Sequence, residues 1–145
     1  MTEIRKMTAG DIEQCVCVYC SAYSAEPWKE EYQGEQVEQY LLGFMAAESM
    51  KSFVLTEDED IVGIALTILV PSIDSPYLRL EDFCIRAELH GMGYGSRFIE
   101  LLAAEAKKMG CDSILLSTQH GFPSHSFYLK NGFSEIESVL MYREI

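Results

Sequence analysis

Apolar and polar residues alternate through residues 77–85. Leu78, Leu80, Asp82 and Cys84 fall on one side of the chain, and Tyr77, Arg79, Glu81, Phe83 and Ile85 on the other. A period of two predicts a strand. From Phe98 the spacing changes: Phe98, Leu101, Leu102, Ala106 and Met109 share one face at a helical period. Between the two runs lies His90-Gly-Met-Gly-Tyr-Gly95, with glycines at 91, 93 and 95. Glycine reaches backbone angles closed to other residues and lets a ligand approach the main chain. N–H groups opening a helix attract anions, phosphate above all. The pattern therefore predicts a strand, a tight loop and a helix of about four turns, with a phosphate or pyrophosphate cradle at the junction. A glycine turn that only starts a helix would read the same way locally. Two other phosphate motifs do not fit. No Gly-Lys-Ser/Thr closes the loop, and the dinucleotide spacing is absent because Ser96 and Arg97 follow Gly95.

The rest of the pattern fills in around this unit. Residues 4–7 read as a first strand, and Thr8 with Asp11 forms a capping pattern for a helix that ends before Pro27. A second helix over residues 34–50 places Val37, Tyr40, Leu41 and Phe44 on one face. Strands over 51–56 and 61–69, joined by a tight turn at 57–60, form a hairpin. Residues 70–76 connect to the central strand. Gly110 is placed to end the long helix, and 113–117 is an interior strand. A short helix runs from Pro123–Ser124 to Lys130, stopped by Asn131-Gly132, and two last strands cover 133–137 and 139–143. The prediction is a single α/β domain over residues 1–145. Its sheet is mixed and mostly antiparallel, with six to seven strands, about four flanking helices, and a parallel pair where the long helix crosses over.

The glycine stretch, preceded by Leu80-Glu-Asp-Phe83, resembles the acetyl-CoA-binding signature of the GNAT N-acetyltransferase family, usually written Arg/Gln-x-x-Gly-x-Gly/Ala. Here His90 stands at the Arg/Gln position, Gly93 and Gly95 match, and Gly91 is an extra glycine. The resemblance continues through residues 124–133, similar to the family's late helix with a tyrosine followed by Gly132-Phe133. It implies a GNAT-like fold, acetyl-CoA as cofactor, and direct acetyl transfer to an amine. By position, the pantetheine arm would pair with the backbone of Phe83, Cys84 and Ile85. The pyrophosphate would lie on His90, Gly91, Met92, Gly93, Tyr94, Gly95 and Ser96, with Ser124 and Ser126 also meeting the coenzyme. Histidine at position 90 weakens the charge contribution of the usual Arg/Gln position and makes it pH-dependent.

An alkylamine with a pKa of about 10 is almost wholly protonated at neutral pH, so transfer needs a base as well as an acid for the leaving thiolate. The resemblance makes Glu81 the candidate base, through water, and Tyr128 the candidate acid. Glu81 could instead only bind a cationic substrate, Tyr128 could be plain packing, and Asp82, expected on the opposite face, is the weaker carboxylate. Glu81 with Glu26, Trp28, Glu31 and Tyr32 would make a site for a small cationic amine through charge and cation–π contact, unless the acidic run is a solvated helix face. Leu80-Glu-Asp-Phe83 is most like the polyamine-acetylating branch. Aminoglycosides and basic peptides share that electrostatics, and a non-catalytic acetyl-CoA sensor would share the fold.

Charge narrows the partners. Eleven basic against 23 acidic residues give a formal charge of −12. That disfavours nucleic acid and anionic membranes and favours cations. No apolar run reaches membrane-span length, and the start of the chain carries no signal core, so the expected location is cytoplasmic. The five cysteines are odd in number, and Cys15-x-Cys17-x-x-Cys20 has no second cluster, so neither a disulfide framework nor a metal site is expected. Cys84 is expected to be packing rather than a nucleophile, and His120 and His125 to be loop or helix-surface residues. A homodimer is compatible with the fold.

Overall fold

The computed structural model describes all 145 residues. Five strands form one sheet whose spatial order follows the chain: β1 (Thr2–Lys6), β2 (Met50–Glu57), β3 (Asp60–Val70), β4 (Tyr77–Ile85) and β5 (Ile114–Leu116). The first four pair antiparallel, and β4 and β5 pair parallel. The helices are α1 (Ile12–Ser24), α2 (Gly34–Met45), α3 (Tyr94–Lys108) and α4 (Pro123–Lys130). A parallel pair needs a crossover, and α3 supplies it.

Two cores lie on opposite faces of the sheet. Under α1 and α2, Cys15, Val18, Ala22, Val37 and Leu41 pack on Val54, Ile61, Ile64 and Leu66. Under α3, Phe98, Ile99, Leu102 and Ala106 pack on Phe53, Leu55, Ala65, Leu78 and Leu80. The apolar face read from residue 98 onward is thus the buried face of α3. The β2–β3 hairpin turns on Asp58 and Glu59, both at positive φ, the backbone sign that a tight two-residue hairpin turn requires. Gly93 starts α3 at φ 88° and Gly110 follows its end at φ 85°. The expected Thr8–Asp11 capping pair is present, closing a single turn at Ala9–Asp11 that leads into α1: the Asp11 carboxylate accepts the Thr8 N–H at 2.7 Å and ion-pairs with Arg5 at 2.7 Å.

The expectation of six to seven strands is corrected to five. Residues 133–137 and 139–143 have apolar strand-like composition but no ladder. Strand formation depends on a partner edge more than on intrinsic preference, and β5, at three residues, offers little edge. Ile136, Val139, Leu140, Met141 and Tyr142 are exposed instead. The second helix also stops at Met45, short of the predicted residue 50. No helix is long and apolar enough to cross a membrane.

Candidate active site

The site is built by an irregularity in β4. Leu66 pairs with Asp82 and Thr67 with Leu80, so Glu81 is an extra residue opposite β3. A bulge of this kind breaks the alternation of side chains. Before it, Leu78 and Leu80 face α3. After it, Phe83 and Ile85 face α3, and Cys84 joins the α1 core. The single alternating face expected across residues 78–84 therefore does not exist. Pairing with β5 ends where the bulge begins, at Leu80 opposite Leu116. Beyond that point the two strands part, leaving the outer main-chain edge of β4 free to pair with an extended, amide-bearing chain.

One cavity, of about 350 Å³, opens along this edge. Its lining includes Phe83, Cys84 and Ile85 on β4, Gly91, Gly93, Gly95 and Ser96 at the start of α3, and Ser124 and Lys130 on α4. Gly91 and Gly93 have positive φ, and a Cβ on either would meet nothing within 4 Å, so space is open above the loop. Gly95 is different. A Cβ there would lie 2.9 Å from the Phe127 ring, so glycine is what lets α4 close on α3. The first N–H groups of α3 have no intrahelical acceptor and are available to an anion. The N–H groups of His90 and Met92 are already bonded within the loop, to Ala87 and Leu89. The His90 ring is also spoken for: Nε2 lies 2.7 Å from the Ile85 carbonyl oxygen and donates to it. It ties the loop to the end of β4. A free strand edge, an open glycine loop with unpaired N–H groups and one lysine fit the amide arm and pyrophosphate of a coenzyme A thioester.

A second cavity, of about 390 Å³, lies beside it, and its lining includes Trp28, Glu30, Glu81, Asp82, Thr118 and Phe122. Tyr23, Trp28, Phe83, Ser124 and Tyr128 line both cavities. Asp82 holds the centre of its polar wall. Its carboxylate accepts hydrogen bonds from Tyr19 at 2.8 Å and Tyr40 at 3.0 Å, and from Tyr23 on its other oxygen. Burial raises the Asp82 pKa above the usual carboxylate value, and the three phenols act in the opposite direction. Burial also raises the pKa of each of these phenols, with the Asp82 charge adding to it, so all three keep their protons. Glu81, next along the chain, ion-pairs with Arg79. Tyr128 packs against Phe83 with ring centroids 6.2 Å apart. Burial, then the Asp82 charge, raises its pKa, so the phenol stays protonated through neutral pH.

Of the residues expected to hold the cofactor, Phe83, Cys84, Ile85, His90, Gly91, Gly93, Gly95, Ser96 and Ser124 line the first cavity, while Met92, Tyr94 and Ser126 do not. Of those expected for the acceptor, Trp28 and Glu81 line the second. Glu26 is exposed and paired with Lys29, Glu31 is exposed, and Tyr32 packs beside Tyr19 and Tyr23. Arg97 pairs with Glu100 away from the loop. Cys84 is buried, and burial raises its thiol pKa well above the ordinary value, which removes it as a nucleophile at neutral pH. Sequence reasoning missed Tyr19, Tyr23 and Tyr40 around Asp82. Tyr19 and Tyr23 stand four apart on one helical face, a spacing that brings side chains together, but their common partner lies on β4, far along the chain.

Residues 13–133 match the family model described as "Acetyltransferase (GNAT) family". Solved structures of several proteins share the fold. One is a GNAT family acetyltransferase from Staphylococcus aureus, 17% identical, with 99% of this chain and 98% of that one covered at a TM-score of 0.78. Another is the aminoglycoside N-acetyltransferase AAC(6')-Iy in complex with CoA, 19% identical, covering 99% and 95% at a TM-score of 0.74. A third, a Bacillus halodurans protein described as a transcriptional regulator, is 23% identical and covers 99% and 100% at a TM-score of 0.79.

Proposed function

The chain belongs to the GNAT acetyltransferase family, with acetyl-CoA as acyl donor, and from that premise we propose that it acetylates a primary amine of a small, polyamine-like cation by direct transfer. The observation that carries this reading is the pair of cavities with opposite chemistry and a shared wall. One offers main-chain N–H groups, Lys130 and a free strand edge, which suit a polyanionic donor with an amide arm. The other offers Glu30, Glu81 and Asp82 with Trp28 and Tyr23, which suit an ammonium through charge and cation–π attraction. Bound acetyl-CoA supplies an activated thioester at the junction.

The chain's own groups divide the remaining work. Glu81, set by Arg79 at the mouth of the acceptor cavity, binds the incoming ammonium and orders water for it. Asp82, made more basic by burial, takes the amine proton, with the Tyr23 phenol bridging the two cavities. Tyr128 holds a proton at Oη for the departing sulfur. Aminoglycosides are the second acceptor class to test, because structural neighbours act on them and they present the same charge pattern. The exposed Ile136, Val139, Leu140 and Met141 support the further reading of a homodimer, as an apolar surface for a second copy.

The test is coenzyme A release against polyamines, aminoglycosides and basic peptides, in wild type, E81Q and D82N. The expected result is turnover on polyamines, with E81Q raising KM and D82N lowering kcat by about a hundredfold. Turnover on aminoglycosides or peptides alone would overturn the acceptor assignment. Acetyl-CoA binding with no acceptor-dependent release would overturn the enzyme reading in favour of a sensor.

A further inference from the structure

Away from both cavities, three chain segments bring His120, His125 and Glu135 together. His120 lies in the loop after β5, His125 in the first turn of α4, and Glu135 in the segment after Gly132. Both imidazole Nε2 atoms point at one carboxylate oxygen, Glu135 Oε1, at 3.3 Å and 3.0 Å. The rings are edge-to-face with centroids 4.6 Å apart. One donor atom from each of the three residues lies within 4.8 Å of the other two. None of the three has a task in acetyl transfer.

We propose that His120, His125 and Glu135 bind a single divalent transition-metal ion of the zinc class. Zinc holds imidazole nitrogen and carboxylate oxygen at about 2.0–2.2 Å, which sets neighbouring tetrahedral donors roughly 3.4 Å apart. The two nitrogen–oxygen spacings here, 3.3 Å and 3.0 Å, are close to that, and the third donor pair lies within 4.8 Å. Two imidazoles with one carboxylate select zinc, cobalt, nickel or copper over magnesium and calcium, which take oxygen ligands. Three protein ligands leave a fourth position for water. His120 and Glu135 are exposed, so the ion has a direct entry path.

The site also has a structural consequence for the acceptor cavity. Phe122 stands between the two histidines in sequence and packs edge-on against Trp28, with centroids 6.4 Å apart. Thr118, Gln119, Phe122 and Ser124 all belong to the cavity wall. An ion that ties His120 and His125 to Glu135 anchors the chain on both sides of Phe122. Trp28 is the chain's single tryptophan, so its emission reports the wall directly.

The experiment titrates zinc into the metal-free full-length protein, following heat by calorimetry and Trp28 emission by fluorescence. It is repeated in H120A, H125A, E135A, E135Q and C17S. Cys17 is an exposed thiol and the competing zinc ligand. The expected result is saturable one-to-one binding in wild type and C17S, with emission changing in step. Removing a group that only supports a metal ligand weakens metal binding by about 10–100-fold, so losing a ligand itself should weaken it at least about tenfold in each of the other four variants. E135Q keeps the size of the side chain and loses its charge, so its failure to bind would separate ligation from packing. No saturable binding, unchanged affinity in H125A and E135Q, or loss in C17S would overturn the site. Binding without a change in Trp28 emission would overturn its coupling to the acceptor wall.

Discussion

Asp82 and Glu81 are adjacent in sequence and live in different electrostatic surroundings. Glu81 is held by a cation and open to solvent, whereas Asp82 is buried and bonded by neutral groups, three phenols and the Phe83 backbone. A buried carboxylate without a cationic partner is the better proton acceptor, because burial disfavours its charged form. The acid limb of the kcat/KM profile is therefore expected above the ordinary carboxylate range. As pH falls through the raised Asp82 pKa the carboxyl binds a proton and the base is lost. In D82N that limb should disappear, leaving only the titration of the amine substrate. For Tyr128, phenylalanine keeps the ring contacts with Phe83 and Phe127 and removes only the proton donor. Y128F should lower kcat by about a hundredfold with little change in KM, measured by steady-state coenzyme A release. Both carboxylates were visible in the sequence, but their different surroundings were not. The bulge that places Asp82 in the cavity arises from the register between β3 and β4, which the residues of β4 alone do not specify.

The elements themselves were mostly legible because their signals are local. The strand composition of β4, the tight turn at 57–60, the helical face of α3 and the Gly110 stop depend only on residues close together in the chain, although the alternation in β4 is broken at Glu81. The start of α1 is of the same kind, and its energetics can be tested. The hydrogen bonds from Arg5, then those from Thr8, lower the Asp11 pKa to about 2 against burial, from an ordinary value near 3.8. A depressed carboxylate stabilises the fold above its unfolded pKa, and the contribution is lost as pH falls through its folded value. Arg5 is half exposed, so solvent screening leaves about 1–2 kcal/mol of this at neutral pH. D11N should lose that amount in chemical denaturation at pH 7, and the difference from wild type should shrink below about pH 4 and vanish below about pH 2. The last two predicted strands failed for the opposite reason: a strand exists only with a neighbour, and no local signal counts neighbours.

For the whole molecule, the charge of −12 and the carboxylates of the second cavity would act together on the cationic substrate proposed above. Such a field raises association rates and is screened by salt over a distance of roughly 10 Å at 0.1 M. For a polyamine acceptor, kcat/KM should fall as ionic strength rises while kcat stays level, measured by coenzyme A release over a salt series. A hydrophobic monoamine should show a much shallower dependence. The sign of this effect could be read from composition. The division of the protein's centre into two cavities could not, since their shared wall draws on α1, β4 and α4.

The extra residue at Glu81 has a consequence for how this sequence tolerates a change of length. Leu80 already lies opposite Thr67 and Asp82 opposite Leu66, so deleting the codon for Glu81 would make β4 regular and leave every later residue with its present partner. Phe83 and Ile85 would still face α3, and Cys84 would stay with the α1 core. What would go is one carboxylate of the second cavity and the local bend that a bulge brings. The same loss one step later, at Phe83, has no such slack: it would carry Cys84 to the α3 side and Ile85 to the α1 side. The bulge can absorb a lost codon, and the strand beyond it cannot.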